Sequence, residues 1–352
     1  MDHGVDKTMS YPFRNLVFEG GGVKGIAYLG AIQVLEEEGI FEQITRVGGT
    51  SAGAINALLI AAGFSASKMR KVMFSMDFKD FKDDSWGVLR DMKRLSKKYG
   101  WHRGNQFRKW LGDLLESEGL SRNVTFSGLQ LATGNALFVY ATNLSTHFGE
   151  VYSPEHTPRM RVVDAVRRSM SIPLFFTAVR DDREDIFVDG GLLNNYPVKL
   201  FDRLKYVSES THARRTEYYS GENSKLGLKG RNKRCYVYNK ETLGFRLDSE
   251  KEIGVFRDAD TPAHKKIDNL MDYTFELINT LIDAQDNQHL HTDDWHRTIY
   301  IDSLRVGTTD FKLDDKEKRA LVKSGKKATR DYLKWWRDTS DDLAINHPQS
   351  AE

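Results

Sequence analysis

The stretch Ile44-Thr45-Arg46-Val47-Gly48-Gly49-Thr50-Ser51-Ala52-Gly53-Ala54-Ile55-Asn56, continued by Ala57-Leu58-Leu59-Ile60-Ala61-Ala62, decides the fold. Ile44 to Val47 is an apolar run that reads as a strand ending at Gly48 and Gly49, and Ser51 to Ala62 is small and apolar enough to be a buried helix. Between them Gly49-Thr50-Ser51-Ala52-Gly53 spells GxSxG. In a strand-to-helix turn this pattern holds a serine hydroxyl above the sheet edge, with glycines on either side allowing neighbouring segments to come close. A tight turn whose serine caps the helix has the same spelling. On these residues alone Ser51 is either a nucleophile or a cap.

Upstream, Asn15 to Glu19 reads as a strand, broken by Gly20, Gly21 and Gly22 before an amphipathic helix over Gly25 to Glu38, with Gly39 as its C′ residue. Two consecutive strand-turn-helix units predict a parallel sheet covered by helices, with ligands bound beyond the carboxyl ends of the strands. Gly20-Gly21-Gly22-Val23-Lys24-Gly25 also fits GxGxxG. A dinucleotide site wants an acidic residue at the end of the second strand. That place is held by Val47-Gly48-Gly49. The turn can instead aim backbone N–H groups at a developing oxyanion. Lys24 is either an assistant to that anion or to a phosphate, or a solvated first-turn residue.

Further along, Ala136 to Asn143 and Phe148 to Tyr152 read as strands, and Val162 to Ser169 as a helix that stops before Pro173. The short strand Ile186 to Val188 runs into Asp189-Gly190-Gly191. An aspartate there is a turn former or a catalytic base.

Taken in order, the glycine turn, the serine elbow and the Asp189 turn resemble the patatin-like phospholipase family. The likeness continues through Ala141-Thr142-Asn143, Ser169-Met170-Ser171-Ile172-Pro173 and Asn194-Asn195-Tyr196-Pro197, and covers Asn15 to Leu200. The resemblance implies an α/β fold of three layers, with a mainly parallel central sheet flanked by helices. It implies a Ser–Asp dyad with Ser51 as nucleophile and Asp189 as general base. The oxyanion hole would come from the Gly20, Gly21, Gly22, Val23, Lys24 and Gly25 turn, centred on Gly21 and Gly22, while Gly49, Gly53, Gly190 and Gly191 support the turns. It implies no metal and no cofactor, and phospholipids, lysophospholipids or other acyl lipids as substrates. The alternatives are a catalytically silent lipid- or nucleotide-binding module and a dinucleotide-dependent oxidoreductase.

Histidine is the rival base. None of the ten histidines lies between Gly20 and Gly53, and a triad would need one after the acid, such as His264, His289, His291 or His296. His289, His291 and His296 lie among Asp286, Asp293 and Asp294, which reads as a polar helix end rather than a metal cluster. Cys235 is expected inside a strand, remote from every motif.

Charge and length exclude other classes. The 352 residues carry 52 Lys plus Arg against 50 Asp plus Glu, a net charge of +2, which offers no broad field for nucleic acid. One cysteine forms no disulfide framework and fits a reducing, cytoplasmic setting. Met1 to Arg14, read as an N-terminal extension, has no secretory apolar run, and Ala57 to Phe64 is less than half a membrane span. Lipid would therefore be met at the bilayer surface. A constitutive phospholipase in the cytoplasm would threaten its own membrane, so gating by a small-molecule activator or by a homo-oligomer is expected, as in a nucleotide-activated anti-phage effector.

Residues 15–200 form the expected catalytic core. Within it Met73 to Gln106 interleaves Phe74, Met76, Phe78, Phe81, Trp86, Leu89, Tyr99 and Trp101 with seven lysines and arginines before His102, which suits either a lid at the headgroup boundary or a packed cap. Residues 201–352 are expected to continue the same domain. They open with an exposed basic loop, Thr211 to Arg234, and proceed through strands Cys235 to Tyr238 and Thr298 to Ile301 and helices Ile267 to Ala284 and Asp314 to Trp336.

Overall fold

The computed structural model describes residues 11–76, 99–230, 232–248, 293–308 and 312–339, with Asp310 and isolated positions between 267 and 281. The chain opens with β1 (Asn15–Phe18), a 3₁₀ turn over Gly22–Ala27, α1 (Tyr28–Glu37), β2 (Arg46–Thr50), α2 (Ala52–Ala61) and α3 (Ala66–Ser75). It continues through β3 (Gly100–His102), α4 (Asn105–Ser117), α5 (Phe126–Thr133), β4 (Ala136–Asn143), β5 (Phe148–Tyr152), α6 (Val162–Ser169), β6 (Leu174–Phe176), β7 (Val179–Arg180), β8 (Ile186–Asp189) and α7 (Gly191–Asn194). The last part holds β9 (Ala213–Arg214), α8 (Glu217–Lys225), β10 (Tyr238–Asn239), β11 (Thr242–Asp248), β12 (Thr298–Asp302) and α9 (Asp315–Thr339).

The main sheet has the order β12-β11-β1-β2-β4-β8-β7, with β5 also paired to β4. From β12 to β4 every pairing is parallel, and β5, β7 and β8 are antiparallel. All four residues of β1 are buried, as a central parallel strand covered on both faces requires. Its alternation sorts the interior: Leu16 and Phe18 enter the large core with α1, α2 and α9, while Val17 faces a smaller core with Phe138, Tyr196, Val198, Phe201 and Tyr206. The α/β layering inferred from the motifs is the observed architecture.

Four local readings need correction. The second strand does not stop at Gly48 and Gly49 but runs through them to Thr50. Those glycines mark close approach rather than a turn, since a Cβ on Gly49 would stand 2.5 Å from the Gly53 carbonyl carbon. The stretch read as an exposed loop, Thr211 to Arg234, contains α8, whose first turn is capped by Thr216 and whose Tyr219 is buried with its hydroxyl on Asp202. One buried ring on an otherwise polar helix leaves no periodic signal. Cys235 is buried just before a strand that begins only at Tyr238. Finally, β11 lies between β1 and β12, where no strand was anticipated; its Thr, Gly, Arg and Asp conceal it among loop-like residues.

The ends of the expected lid are packed. Met73 and Met76 belong to the large core, and β3 pairs with β6. Phe78, Phe81, Trp86 and Leu89 lie outside the described residues, as does most of the expected Ile267 to Ala284 helix. Among the described residues no helix is long and apolar enough to cross a membrane.

Candidate active site

The site is set by strand register. Thr50, the last residue of β2, is level with Tyr140 of β4, and from the next residue, Ala141, the same edge of β4 is taken over by β8, whose Asp189 pairs with Ala141, because β5 fills the opposite edge from Val139 to Asn143. Ser51 and Asp189 thus meet where β2 gives way to β8 along one edge of β4, and Gly190 packs directly against Thr50. Ser51 has φ 53° and ψ −124°, a conformation that costs a non-glycine residue about 1–3 kcal/mol and recurs where a turn presents a functional group. The glycines of the motif make that turn possible. Gly49 and Gly53 touch backbone to backbone, and a Cβ on Gly53 would press on the Phe18 and Glu19 carbonyls.

The elbow is held from behind by the end of α6. Ser169 Oγ accepts the Ser51 amide at 2.8 Å and donates to the Tyr140 carbonyl at 2.7 Å. The carbonyls of Ser169 and Ser171 accept the amides of Gly190 and Asp189 at 3.4 and 3.0 Å. Buried Arg167 anchors the same segment through Ser171 Oγ at 2.7 Å. One short segment therefore fixes both members of the pair. The motif match marked Ser169 to Pro173 without assigning this role.

Ser51 is 5% and Asp189 7% exposed. Asp189 Oδ1 accepts the Gly191 amide at 2.8 Å, whereas Oδ2 is buried and makes no hydrogen bond. Burial pushes the Asp189 carboxyl up to about 6, and the neighbouring Ser51 hydroxyl and Gly191 amide partly offset this by favouring the carboxylate. In this geometry the directed contact of Ser51 Oγ is to Met170 Sδ at 3.5 Å, so the hydroxyl stands beside Asp189 without a well-formed bond to it.

The glycine turn divides into parts. Gly20 donates its amide to the Asn195 carbonyl at 3.0 Å, Val23 to Thr308 at 3.2 Å and Lys24 to Gly21 at 3.1 Å. No such bond engages the amides of Gly21 and Gly22 among the described residues. Gly22 has φ +54°, and a Cβ there would overlap the Thr308 carbonyl. At Gly25 a Cβ would meet Ala52 and Asn56 at ordinary distances, 3.4 and 3.5 Å. The half-buried Lys24 sits on the 3₁₀ turn with its amide engaged. On the other side Gly190 packs against Thr50 and the Tyr140 carbonyl.

Behind the turn lies a polar network that the motifs did not reveal. Buried Glu19 accepts the Leu247 amide at 2.6 Å and the Asn195 side-chain amide at 3.3 Å, and lies 3.7 Å from Arg246 Nε. Asn195 Nδ2 also reaches the Gly20 carbonyl at 3.2 Å, and Thr50 Oγ1 donates to Asn194 at 3.0 Å. The missing signal was β11, which carries Arg246 and Leu247.

Among the described residues no histidine is hydrogen-bonded to Ser51 or Asp189; His102 and His156 engage Phe175 and Ser153. His296 precedes β12, three strands from β2, and its ring packs near Trp335. His264, His289 and His291 lie outside the described residues. Asp294, from the same presumed cluster, is bound by Arg297 at 2.5 Å.

A family model for patatin-like phospholipase matches residues 16–202. Protein YqhO of Bacillus subtilis, itself uncharacterized, is 30% identical over 91% of this chain and 98% of its own length. A cGAMP-activated phospholipase of Pseudomonas aeruginosa is 28% identical over 52% of this chain, which spans about half, 53%, of that protein. The crystal structure of VipD from Legionella pneumophila shares the fold at a TM-score of 0.54 and 20% identity, covering 92% of this chain and 67% of that one. From the match over residues 16–202 and the nearly end-to-end likeness to YqhO, the chain belongs to the patatin-like phospholipase family.

Proposed function

We propose that this protein is a serine acyl hydrolase that cleaves carboxylic esters of membrane phospholipids, of phospholipase A or lysophospholipase type. The observation that carries the reading is the register that brings the end of β2 and the end of β8 together on one edge of β4, with Ser51 beside Asp189. A buried carboxylate whose acidity is weakened to about 6 is a better base than a solvated one and remains ionised at neutral pH. In the reaction Asp189 takes the Ser51 proton as Oγ attacks the ester carbonyl carbon. The oxyanion forms against the amides of Gly21 and Gly22, preorganised donors with no other bond among the described residues. Collapse breaks the ester C–O bond, and Asp189 returns the proton to the departing alcohol. A water molecule, deprotonated by Asp189, then attacks the acyl-serine, and the fatty acid leaves as Ser51 recovers its proton.

The burial of both residues supports a gated enzyme, because an acyl chain needs more access than 5% exposure allows, and in this reading it acts at the bilayer surface from the cytoplasm. The relative named as cGAMP-activated supports a small molecule as the gate. The test is labelling by a fluorophosphonate, with lipid mass spectrometry after expression. Wild type should label and deplete phospholipids, and Ser51→Ala should do neither. Absence of labelling in wild type, with or without phospholipid vesicles, would overturn the assignment.

A further inference from the structure

A cavity of about 340 Å³ lies on the face of the sheet opposite α1 and α9, beside the smaller core. It is walled by four cationic side chains, Lys199, Arg203, Lys205 and Arg234, and no acidic residue lines it. Like charges converging on a hollow are unfavourable unless something answers them. The nearby acids answer only in part. Glu155 takes up Lys205 and the Tyr206 hydroxyl. Asp294 lies 3.7 Å from Lys199 but already accepts two bonds from Arg297, at 2.5 and 2.9 Å. Neither Arg203 nor Arg234 meets a carboxylate among the described residues. Arg203 donates to the Arg234 carbonyl and the Tyr236 hydroxyl, and its guanidinium lies 3.5 Å from the centre of the Tyr236 ring.

This arrangement has a recognisable chemistry. Guanidinium forks match phosphate oxygens, and they hold such anions better than an ammonium does because they are less strongly hydrated. The Tyr206 and Tyr236 rings, whose faces Lys205 and Arg203 already touch, line the hollow with Phe138, Val151 and Leu200 and supply an apolar wall, and the volume is at the small end of ligand pockets. The net charge is only +2, yet four cationic side chains line this one hollow. We propose that this cavity binds a phosphorylated small molecule, with its phosphate on Arg203, Arg234 and Lys199 and its body against the apolar wall.

The cavity is separate from the candidate active site but joined to it by a short rigid path. Its wall residue Leu200 packs on β2, where a Cβ on Gly48 would stand 2.7 Å from Leu200 Cδ1, three residues before Ser51. Leu200 belongs to the 3₁₀ turn Val198–Phe201, which follows directly on Asn194 and Asn195, the residues that hold Thr50 and Gly20.

Because binding needs no hydrolysis, the experiment uses the full chain carrying Ser51→Ala, so that its outcome is independent of the acyl-hydrolase reading. Pyrophosphate and adenosine diphosphate are titrated calorimetrically at physiological salt, and co-sedimentation is measured with phosphatidylcholine vesicles with and without phosphatidylglycerol. At least one soluble probe should bind with a submillimolar dissociation constant, and Arg234→Gln and Lys199→Gln, each with an unchanged melting temperature, should each weaken it about tenfold or more. Arg203→Lys keeps the charge, loses the fork, and should also weaken it. If the soluble probes fail but the same variants abolish binding to phosphatidylglycerol vesicles, the phosphate is that of a lipid headgroup and the site stands. No binding of any probe, or binding that all three variants leave unchanged, overturns it.

Discussion

Two regions of the same sheet are built on opposite principles. Around Ser51 the chain uses absence: glycines at 49 and 53 let backbones touch, Ser51 takes strained angles, and the polar groups are small. Around β12 it uses charge: Arg297 is 1% exposed and is bound between Asp202 and Asp294, with bonds at 2.5 and 2.7 Å to the first. The elbow is local, spelled within five residues, and its strain is held by neighbours. The charge cluster joins residues 95 positions apart, and nothing in the local sequence announces it. A turn that carries chemistry tolerates little change in shape, and a buried ion cluster tolerates little change in charge.

The largest expected effect breaks the first region without moving it. Asp189→Asn keeps Oδ1 for the Gly191 amide but cannot take a proton, so turnover should fall by about 10²–10⁴ while the fold is kept. Stability should move the other way. The folded carboxyl, at about 6, lies above its ordinary value of 3.8, so the contribution of Asp189 to stability is fully present below about pH 4 and is lost as pH rises through 6. The difference is on the order of 3 kcal/mol. Asp189→Asn should therefore melt higher than wild type at pH 8 and about equally at pH 4. Full activity in the variant would remove Asp189 from the reaction.

The second region should break differently. Arg297→Met leaves Asp202 and Asp294 buried without their partner, which typically costs about 3–5 kcal/mol. Urea unfolding should show that loss. Adding Asp202→Asn and Asp294→Asn should restore much of it, because the penalty belongs to the stranded charges. A loss below about 1 kcal/mol in the single variant would mean that the cluster is not what seats β12.

These contrasts explain what could be read in advance. GxSxG, the glycine turn and Asp189-Gly190-Gly191 are each contiguous, and each carries a backbone demand that few residues meet, so the α/β layering and the candidate site were legible. Strand β11 was not, because its burial depends on β1 and β12 on either side and its Arg246 and Asp248 read as surface. Helix α8 was missed because tertiary bonds, Tyr219 to Asp202 above all, hold it rather than an apolar stripe. The role of Ser169 was invisible for the same reason: only the fold brings its hydroxyl to the amide of residue 51.

A smaller effect sharpens the pH reading. If Asp189 is the base, kcat/KM should rise with pH and reach half its plateau near 6, since the carboxylate form is the competent one. The plateau can be moved without the midpoint. Ser169→Ala removes the acceptor of the Ser51 amide and loosens the elbow, so it should lower the plateau while leaving the midpoint within about half a unit. A profile flat from pH 5 to 8, measured on a soluble short-chain ester, would exclude titration of Asp189 from the rate.

The glycines of the turn, which GxGxxG treats alike, separate into a graded series that ends on the smallest effect. Gly22→Val must place a branched residue at φ +54° with its Cβ in the Thr308 carbonyl, and should abolish hydrolysis by displacing the backbone that carries the two unengaged amides. Gly20→Ala meets the Asn195 side chain and stands 3.1 Å from Ser51 Cβ, so an intermediate loss is expected. Gly25→Ala has only ordinary contacts, at 3.4 Å and beyond, and lies within helical backbone, where alanine is the better helix former by about 1 kcal/mol. It should leave the rate within about threefold and raise the melting temperature slightly. Loss of activity in a folded Gly25→Ala protein would show that the last glycine serves the chemistry itself, and would place the anion deeper along the 3₁₀ turn than Gly21 and Gly22.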